Sequence, residues 1–514
     1  MDVARIACRA QVGLAAPPVQ VEVHLGSGLP VFTIVGLAAT EVKESKERVR
    51  AALANAGFEW PAGRITVNLA PADLPKDGGR FDLAIALGIL AASGQVARQG
   101  AAALEGFEFL GELGLAGELR PVRGALLAAQ AAAAAGRVLV VPRANAAEMR
   151  LLPSLAVRAA NDLPELCAAL DGANELPLAQ ELPWPAASRA VAGAAESSSL
   201  AEVCGQALAK RALRVAAAGG HSLLMVGPPG CGKSMLAQRL PALLPALEPA
   251  EAVDVAAVAS VAGVAPAWPV PRPFRAPHHT ASAGAIIGGG PRARPGEITL
   301  AHLGVLFLDE FPEFDRRVLE ALREPLESGV VSISRAGLQA EYPARFQLVA
   351  AMNPCPCGHH GSGARACRCA PRVVERYRAR LSGPLLDRID LRVALEPVGE
   401  ADLAAHRHAL DRGEAGRIAA EDLARVRAAR SRQHERQGRL NAALGGTEVE
   451  RRARATRAAL QTLSLAREKL GLSLRGTHRA LRVARTLADL DDVDAVGEAQ
   501  VAEAIQLRRG LSVD

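Results

Sequence analysis

The segment Gly227–Ser234 constrains the fold of this chain more than any other feature, because its sequence is GPPGCGKS. An apolar run that is typical of a buried strand, Ser222–Val226, precedes it, and residues with helical character, Ser234–Leu240, follow it. The spacing G-x-x-x-x-G-K-S between a strand and a helix predicts a loop whose backbone N–H groups surround phosphate groups. We therefore expect an α/β fold with a nucleotide bound at the end of this strand.

Each part of this loop has an expected role in binding ATP. Lys233 is expected to reach the β- and γ-phosphates, and the hydroxyl of Ser234 is expected to bind Mg²⁺. The glycines allow the backbone to turn its N–H groups inward. The loop residues predicted to hold the nucleotide are Gly227, Pro228, Pro229, Gly230, Cys231, Gly232, Lys233 and Ser234.

Two later apolar runs end in polar residues that complete such a site. The first run is followed by Asp309 and Glu310, and the second by Asn353. Asp309 is suited to be an outer ligand of the Mg²⁺ that Ser234 binds. Glu310 is suited to be the base that orients the attacking water. Asn353 is expected to hold this water against the γ-phosphate, although an asparagine at a strand end also forms turns.

Length and composition indicate several folded domains. The 514 residues are 50% hydrophobic and 22% charged, which excludes global disorder. A chain of this length holds about three domains. We expect an α/β domain at 1–170, a Pro- and Ser-rich linker at 171–199, a P-loop core at 200–397 and a helical, charged segment at 398–514.

The charge balance is modest, since 60 basic and 54 acidic residues give a net charge of +6. This excess permits a polyanionic partner without demonstrating one. Leu423–Leu440 holds six arginines against Glu435 alone, on a helix that either contacts DNA or is an ordinary solvated surface. These arginines are Arg425, Arg427, Arg430, Arg432, Arg436 and Arg439. The lack of a targeting segment and of a membrane-spanning run predicts a cytoplasmic protein.

Four of the eight cysteines form two C-x-C pairs separated by nine residues. They are Cys355 with Cys357, and Cys367 with Cys369. Four thiolates suit tetrahedral Zn²⁺, and a reducing compartment favours a metal site over disulfides. Structural zinc is therefore predicted here. The alternative is a loop of free thiols, because C-x-C is tighter than the usual C-x₂-C spacing.

Three further motifs carry a family resemblance. They are RPFRAPHHT at Arg272–Thr280, GEITLAH at Gly296–His302 and NPCPCG at Asn353–Gly358. With the order of the P-loop, the Asp-Glu strand and the Asn strand, they resemble the ComM (YifB) family of AAA+ ATPases. This family is similar to magnesium chelatase and the minichromosome maintenance helicases, and the resemblance covers essentially the whole chain.

The resemblance implies a homo-hexameric ring that uses ATP to move along single-stranded or branched DNA and drives branch migration during natural transformation. It implies that Arg388, in the segment LLDRID, is an arginine finger for the ATP site of the neighbouring subunit. Arg475 would be the sensor-2 arginine of a C-terminal helical lid. Arg335, in a hairpin expected near residues 330–340, would contact the DNA backbone in the central channel.

The segment Leu74–Asp82 resembles the active-site turn of Lon-type proteases, in which a nucleophilic serine follows Lys-Asp-Gly. Arg80 stands where that serine is expected, so peptide hydrolysis lacks its nucleophile. The resemblance therefore implies a Lon-like, non-proteolytic α/β domain that serves assembly or DNA contact.

Two other functions remain open at this point. One is a chelatase-like subunit whose ATPase drives metal insertion into a porphyrin, and the other is an ATP-dependent protease with a serine elsewhere. His278 and His279 are expected to hydrogen-bond locally, with metal or phosphate binding as the alternative.

Overall fold

A computed structural model describes most of the chain. The described residues are 3–36, 44–96, 102–183, 199–265, 267–290, 293–335, 338–361, 365–400, 402–404, 406 and 415–509. The side chain of Arg335 is not described, so its predicted DNA contact lies outside the described part of the protein. Within the described ranges, every helix is too short or too polar to cross a membrane.

Strands and helices alternate along the chain. The strands are β1 (Ala4–Arg9), β2 (Pro18–Gly26), β3 (Val31–Val35), β4 (Arg64–Ala70), β5 (Phe107–Phe109), β6 (Glu112–Leu113), β7 (Leu119–Arg120), β8 (Val138–Pro142), β9 (Val157–Ala160), β10 (Leu223–Val226), β11 (Phe274–Arg275), β12 (Gly288–Gly289), β13 (Arg294–Pro295), β14 (Val305–Leu308), β15 (Val330–Arg335), β16 (Leu338–Pro343), β17 (Gln347–Met352) and β18 (Leu391–Ala394). The helices are α1 (Ser45–Asn55), α2 (Asp82–Ala92), α3 (Ala102–Glu105), α4 (Ala125–Ala134), α5 (Ala146–Met149), α6 (Leu163–Leu170), α7 (Ala207–Gly219), α8 (Lys233–Leu243), α9 (Pro249–Ala262), α10 (Ala283–Ile287), α11 (Glu297–Leu300), α12 (Arg316–Ala321), α13 (Pro325–Ser328), α14 (Pro371–Arg378), α15 (Gly383–Leu386), α16 (Ala415–Gln437), α17 (Gly446–Arg452), α18 (Arg457–Leu470), α19 (Leu474–Leu490) and α20 (Glu498–Gln506).

The chain divides into two compact units, each built from segments that are not contiguous in sequence. The first comprises 1–190, 248–270 and 333–341. The second comprises 191–247, 271–332 and 342–514. The predicted α/β class is confirmed, since both units combine helices with parallel strand pairs. The predicted segment boundaries stay predictions.

The first unit contains a four-stranded sheet in the order β1-β2-β4-β3 and a parallel sheet in the order β5-β8-β9. The alternation in β2 puts Val19, Val21 and Val23 on one buried face, on which α2 packs. Helix α9 joins the same core through Ala256 and Ala257. This unit therefore recruits a helix that lies after the P-loop in the sequence.

A five-stranded parallel sheet, in the order β11-β14-β17-β10-β18, organises the second unit. Strands β10, β14 and β17 are buried along their length and, apart from Gln347 at the start of β17, apolar, as is typical of strands covered on both faces. The carboxyl ends of parallel strands meet at one edge of the sheet. The residues that follow β10, β14 and β17 therefore converge there.

The C-terminal segment is helical, as its sequence predicts. Helices α16 and α19 pack against α7, and all three contribute to one apolar cluster with the sheet. A buried ionic group joins α16 to α19, since Asp489 bonds to Arg436 at 2.7 Å and to Arg485 at 2.9 Å. Because both arginines satisfy the buried carboxylate, its burial is tolerated.

Candidate nucleotide site

The loop that follows β10 has the backbone that phosphate binding requires. Gly230 and Gly232 have φ angles of +79° and +92°, in the left-handed region that favours glycine. No other atom lies within 4 Å of where a Cβ would stand on either of them, among the described residues. Lys233 begins α8, and its Nζ donates to the carbonyls of Gly227 at 2.7 Å and Pro228 at 2.9 Å.

Lys233 is the buried cation of this loop, with 9% of its surface exposed. Burial lowers the pKa of Lys233, while nearby Cys231, Asp309 and Glu310 favour its charged form. A partly desolvated ammonium group at the start of a helix is suited to bind a phosphate anion.

Ser234 and Asp309 form the pair expected at a magnesium site. Ser234 Oγ donates a 2.6 Å hydrogen bond to Asp309 Oδ2, and Asp309 Oδ1 accepts one from the backbone N–H of Glu310 at 2.9 Å. Mg²⁺ prefers such oxygen ligands together with water and phosphate oxygens. The residues present therefore fit this ion.

Asn353 follows β17, and its Oδ1 accepts a hydrogen bond from Lys233 Nζ at 3.1 Å. The structure thus brings together the P-loop, Ser234, Asp309 and Asn353. The expected contact of Asn353 with a water at the γ-phosphate stays a prediction. In the structure its amide holds the loop lysine instead.

Glu310 has an uncommon backbone and one close partner. Its φ of +52° lies in the left-handed region, which is uncommon for a residue other than glycine. Its Oε2 lies 2.9 Å from Nδ1 of His279. The sequence prediction for His279 was a local hydrogen bond; the structure gives it a partner 31 positions away, and its only sequence signal was the HH pair in RPFRAPHHT.

Arg388 lies at a cavity of about 520 Å³ that Glu320, Glu324 and Glu327 also line. Its side chain is 11% exposed, and Nη2 lies 2.7 Å from Glu327 Oε1. Nη1 donates to the carbonyl of Pro384 at 2.8 Å, and no described residue accepts a hydrogen bond from the buried Nε. In the single chain, therefore, Arg388 is engaged by its own subunit.

Arg475 is the second residue of α19 and is exposed to solvent. No hydrogen bond from its side chain occurs within the described residues. Arg479, one turn further along, donates to Asp390 at 2.8 Å and to the carbonyl of Arg388 at 2.9 Å. The structure thus connects Arg479, which the sequence did not single out, to the segment of the predicted finger.

The four clustered cysteines converge. Their sulfur atoms all lie within 4.8 Å of one another, and Cys355 Sγ is 3.3 Å from that of Cys357 and 3.8 Å from that of Cys367. Tetrahedral zinc with Zn–S bonds of about 2.3 Å separates its sulfurs by about 3.8 Å, so the group fits this ion. Backbone N–H groups of Arg368 and His359 lower the pKa of Cys357 to about 6, which favours its thiolate.

The cysteine loop also touches the nucleotide loop. Gly358 has a φ of +82°, and a Cβ there would lie 2.5 Å from Cδ of Pro229. Only a glycine allows this approach. The cluster therefore lies against the P-loop.

Three family models match the chain. The one described as "Magnesium chelatase, subunit ChlI" matches residues 199–403, "Subunit ChlI of Mg-chelatase" matches 21–145, and "Magnesium chelatase, subunit ChlI C-terminal" matches 418–508. The chain is 47% identical to the competence protein ComM of Haemophilus influenzae, over 99% of this chain and 98% of the relative. The chain belongs to the ComM/YifB family.

Two further relatives agree with this placement. The chain is 46% identical to the uncharacterized protein YifB of Salmonella typhimurium, over 99% of this chain and 97% of the relative. It is 42% identical to an uncharacterized protein of Mycobacterium tuberculosis, over 97% of each chain. The predicted family is confirmed, and membership of the ComM/YifB family, which is magnesium-chelatase-like, implies ATPase activity with ATP and Mg²⁺.

The turn of this ComM/YifB-family chain that resembles the Lon active site contains a buried arginine. Arg80 is 6% exposed, and its Nη2 donates to the carbonyl of Arg123. The nearby thiol of Cys8 is fully buried, and burial raises its pKa to about 12, which disfavours the thiolate form. Ser45 donates its hydroxyl to the buried Asp82, which Arg48 also contacts.

The basic helix α16 turns several of its arginines toward partners in the same chain. Arg432 and Arg436 bond to Asp492 and Asp489, and Arg439, just beyond the helix, bonds to Glu448. Arg430 donates to the carbonyl of Ala217, whereas Arg425 and Arg427 are exposed. Four of the six arginines of this basic segment are therefore bonded within the protein.

Proposed function

We propose that the protein is an ATP-driven, homo-hexameric motor that moves on single-stranded or branched DNA and promotes branch migration during natural transformation. The observation that carries this proposal is the contact set Asn353–Lys233 and Ser234–Asp309, which brings the residues predicted to bind the nucleotide together at one edge of a parallel sheet. The 47% identity to a protein named for competence supports the role in natural transformation. The motor would act in the cytoplasm.

The residues of the site divide the work of ATP hydrolysis. Lys233 binds the β- and γ-phosphates, and Ser234 with Asp309 would hold Mg²⁺, which offsets phosphate charge when bound. Glu310 accepts a proton from the attacking water. The oxygen of this water bonds to the γ-phosphorus, and the bond between the γ-phosphorus and the β–γ bridging oxygen breaks. ADP and inorganic phosphate are the products. Asn353 keeps the water in line.

Arg388 would complete the site of the neighbouring subunit. Its guanidinium lines a cavity and is bound by the half-exposed carboxylate of Glu327. The γ-phosphate of ATP bound to the neighbouring subunit would bind the Arg388 guanidinium more strongly, through two hydrogen bonds. Hydrolysis would then require ring assembly, and Arg475 would contribute as the sensor-2 arginine of the helical lid.

The remaining parts of the chain support this motor. We assign residues 1–170 as a Lon-like domain without proteolysis, since Arg80 is buried where the nucleophile is expected. The four cysteines would bind structural zinc against the P-loop. Arg335 would contact the DNA backbone from the β15–β16 hairpin.

The magnesium-chelatase descriptions of all three matching family models favour a second candidate. In it, the same ATPase drives metal insertion into a porphyrin. The two candidates share every residue of the nucleotide site and differ in what activates hydrolysis.

One assay separates the candidates. ATP hydrolysis in a buffer containing Mg²⁺ is measured for the protein alone, with single-stranded DNA, with a branched DNA and with metal-free protoporphyrin. Glu310→Gln serves as the inactive control. We expect stimulation by DNA and none by porphyrin. Stimulation by porphyrin alone would favour the chelatase-like candidate, and hydrolysis that neither ligand alters would contradict the DNA motor.

A further inference from the structure

The main chain of Arg388 is anchored through its carbonyl oxygen. Ser222 Oγ, just before β10, donates a hydrogen bond of 3.0 Å to this oxygen. Arg479 Nη1, in the second turn of α19, donates another of 2.9 Å. The segment of the predicted finger is thus held between a strand of the parallel sheet and a helix of the C-terminal segment.

Arg479 is itself fixed by a buried carboxylate two residues after Arg388. Its Nη1 also donates to Asp390 Oδ1 at 2.8 Å, and the Asp390 side chain is only 5% exposed. The other carboxylate oxygen, Oδ2, lies 3.0 Å from His221 Nδ1, and the backbone N–H of Asp390 donates to Ser222 Oγ at 3.0 Å. Charge-assisted hydrogen bonds in such a buried network are strong and directional, so the guanidinium of Arg479 has a defined place.

The side chain of Arg388 is held less firmly than its main chain. Its Nη2 contacts Glu327, whose side chain is 51% exposed, and ion pairs with exposed groups contribute little. A finger needs this combination, because its guanidinium has to move to a phosphate while its backbone stays in register. The contacts of the Arg388 carbonyl supply the fixed part.

We propose that Arg479 is a positioning residue that fixes the main chain of Arg388 so that its guanidinium reaches the ATP of the neighbouring subunit. The proposal rests on the proposed function, in which Arg388 is the finger of a ring-shaped ATPase. Arg479 makes no contact with ATP in this account. It acts through Arg388 and therefore on the neighbour's site, while the ATP site of its own subunit is unaffected.

Substitution of Arg479 is expected to lower turnover and leave nucleotide binding intact. A shift of about 1 Å in a reacting group costs up to about 100-fold in rate. We therefore expect Arg479→Ala to lower kcat by about 10- to 100-fold, with ATP affinity within about threefold of wild type. Arg479→Lys keeps a cationic donor for both acceptors and is expected to restore most of kcat.

Arg508→Ala is the matched control. Arg508 donates a hydrogen bond of 2.6 Å to the carbonyl oxygen of Asp390 and none to Arg388. Its removal weakens the same buried group without releasing the Arg388 carbonyl. We expect kcat of Arg508→Ala within about threefold of wild type, since the main chain of the finger keeps both of its donors.

Mixed rings distinguish an action on the neighbouring subunit from an action on the subunit's own site. An equal mixture of Arg479→Ala and Lys233→Ala should recover activity, because Lys233→Ala subunits supply well-placed fingers to the intact sites of Arg479→Ala subunits. This recovery also shows that Arg479→Ala subunits fold and assemble. A mixture of Arg479→Ala and Arg388→Ala should stay at the low activity of Arg479→Ala rings, because neither subunit supplies a well-placed finger.

Steady-state ATPase assays, titration with a fluorescent ATP analogue and size-exclusion chromatography give the readouts. An unchanged kcat in Arg479→Ala, a loss confined to ATP affinity, or an equal loss in Arg508→Ala would overturn the positioning role. So would recovery with Arg388→Ala but not with Lys233→Ala, which would place the action of Arg479 in its own site. A mixture of Arg388→Ala and Lys233→Ala that stays inactive would instead overturn the finger of the proposed function.

Discussion

Asn353 Oδ1 accepts a hydrogen bond from Lys233 Nζ at 3.1 Å, which ties the end of β17 to the first residue of α8. The lysine also donates to two carbonyls of its own loop. In our account, ATP replaces these acceptors with phosphate oxygens. The amide of Asn353 is then released to hold the attacking water.

Replacement of Asn353 by alanine should slow hydrolysis while ATP still binds. Loss of one group that stabilises the transition state costs about 10² to 10³ in kcat. We expect a fall of at least tenfold in kcat and an ATP affinity within about threefold of wild type. Lys233→Ala, as the comparison, should lose ATP binding. Equal loss of affinity in both variants would show that Asn353 acts only by supporting the loop.

Mixed rings test whether Arg388 acts on the neighbouring subunit. Rings assembled only from Arg388→Ala subunits, or only from Lys233→Ala subunits, should not hydrolyse ATP. In an equal mixture, about a quarter of the interfaces pair an intact Lys233 with an intact Arg388, as a head-to-tail ring requires. ATPase activity should therefore reappear on mixing. Normal hydrolysis by assembled Arg388→Ala rings, or an inactive mixture, would refute the assignment.

The cysteine cluster should contain zinc. Protein purified without chelator should carry about one zinc ion per chain by elemental analysis, because four convergent thiols match its tetrahedral preference. Cys357→Ser and Cys369→Ser should lose most of the metal. Cys204→Ser, which alters a cysteine outside the cluster, should retain it. Less than half an equivalent in the wild-type protein would contradict the zinc site.

Asp390 should contribute to stability in a pH-dependent way. The carboxylate is buried, and burial alone would raise its pKa, but His221, Arg479 and Arg508 hold that pKa well below its usual range. A depressed folded-state pKa contributes stability above the unfolded value of about 3.9, which is lost as pH falls further.

Asp390→Asn should lower the midpoint of thermal unfolding at pH 7 by about 5 °C or more, because breaking a buried pair costs about 3–5 kcal/mol. The difference from wild type should narrow below about pH 4. Asp494→Asn, which breaks an exposed pair with Arg454, should shift the midpoint by about 1 °C or less. A difference that stays constant down to pH 3 would contradict this account of Asp390.

The sequence alone predicted that the loop after β10 and the residues after β14 and β17 lie together, because these motifs are short and local. Asp309 and Asn353 lie directly after β14 and β17, and Lys233 ends the loop that follows β10; the apolar run of each of these strands can be recognised from the sequence alone. Parallel pairing then brings these strand ends together without further information. The finger Arg388 and the sensor Arg475 were assigned by resemblance, since one arginine among many has no local signature.

Other features depend on contacts that no local pattern encodes. Helix α9 joins the core of the first unit through Ala256 and Ala257, although its sequence lies within the segment predicted as the P-loop core. From the sequence, the arginines of α16 were expected to form a solvated or DNA-binding surface. The partner of Arg436, Asp489, lies about fifty residues further along the chain, so no local pattern indicates the pair. The contact between His279 and Glu310 likewise joins the segments that follow two different strands, β11 and β14.

Strand displacement on a branched DNA tests the central claim most directly. Wild-type protein is incubated with a labelled forked or three-stranded junction and ATP, and the released strand is measured over time. We predict ATP-dependent strand release by the wild-type protein, with none by Lys233→Ala or by Glu310→Gln, although the latter should still bind ATP. Wild-type protein that hydrolyses ATP yet releases no strand from any junction, with a hydrolysis rate that DNA does not change, would contradict the account.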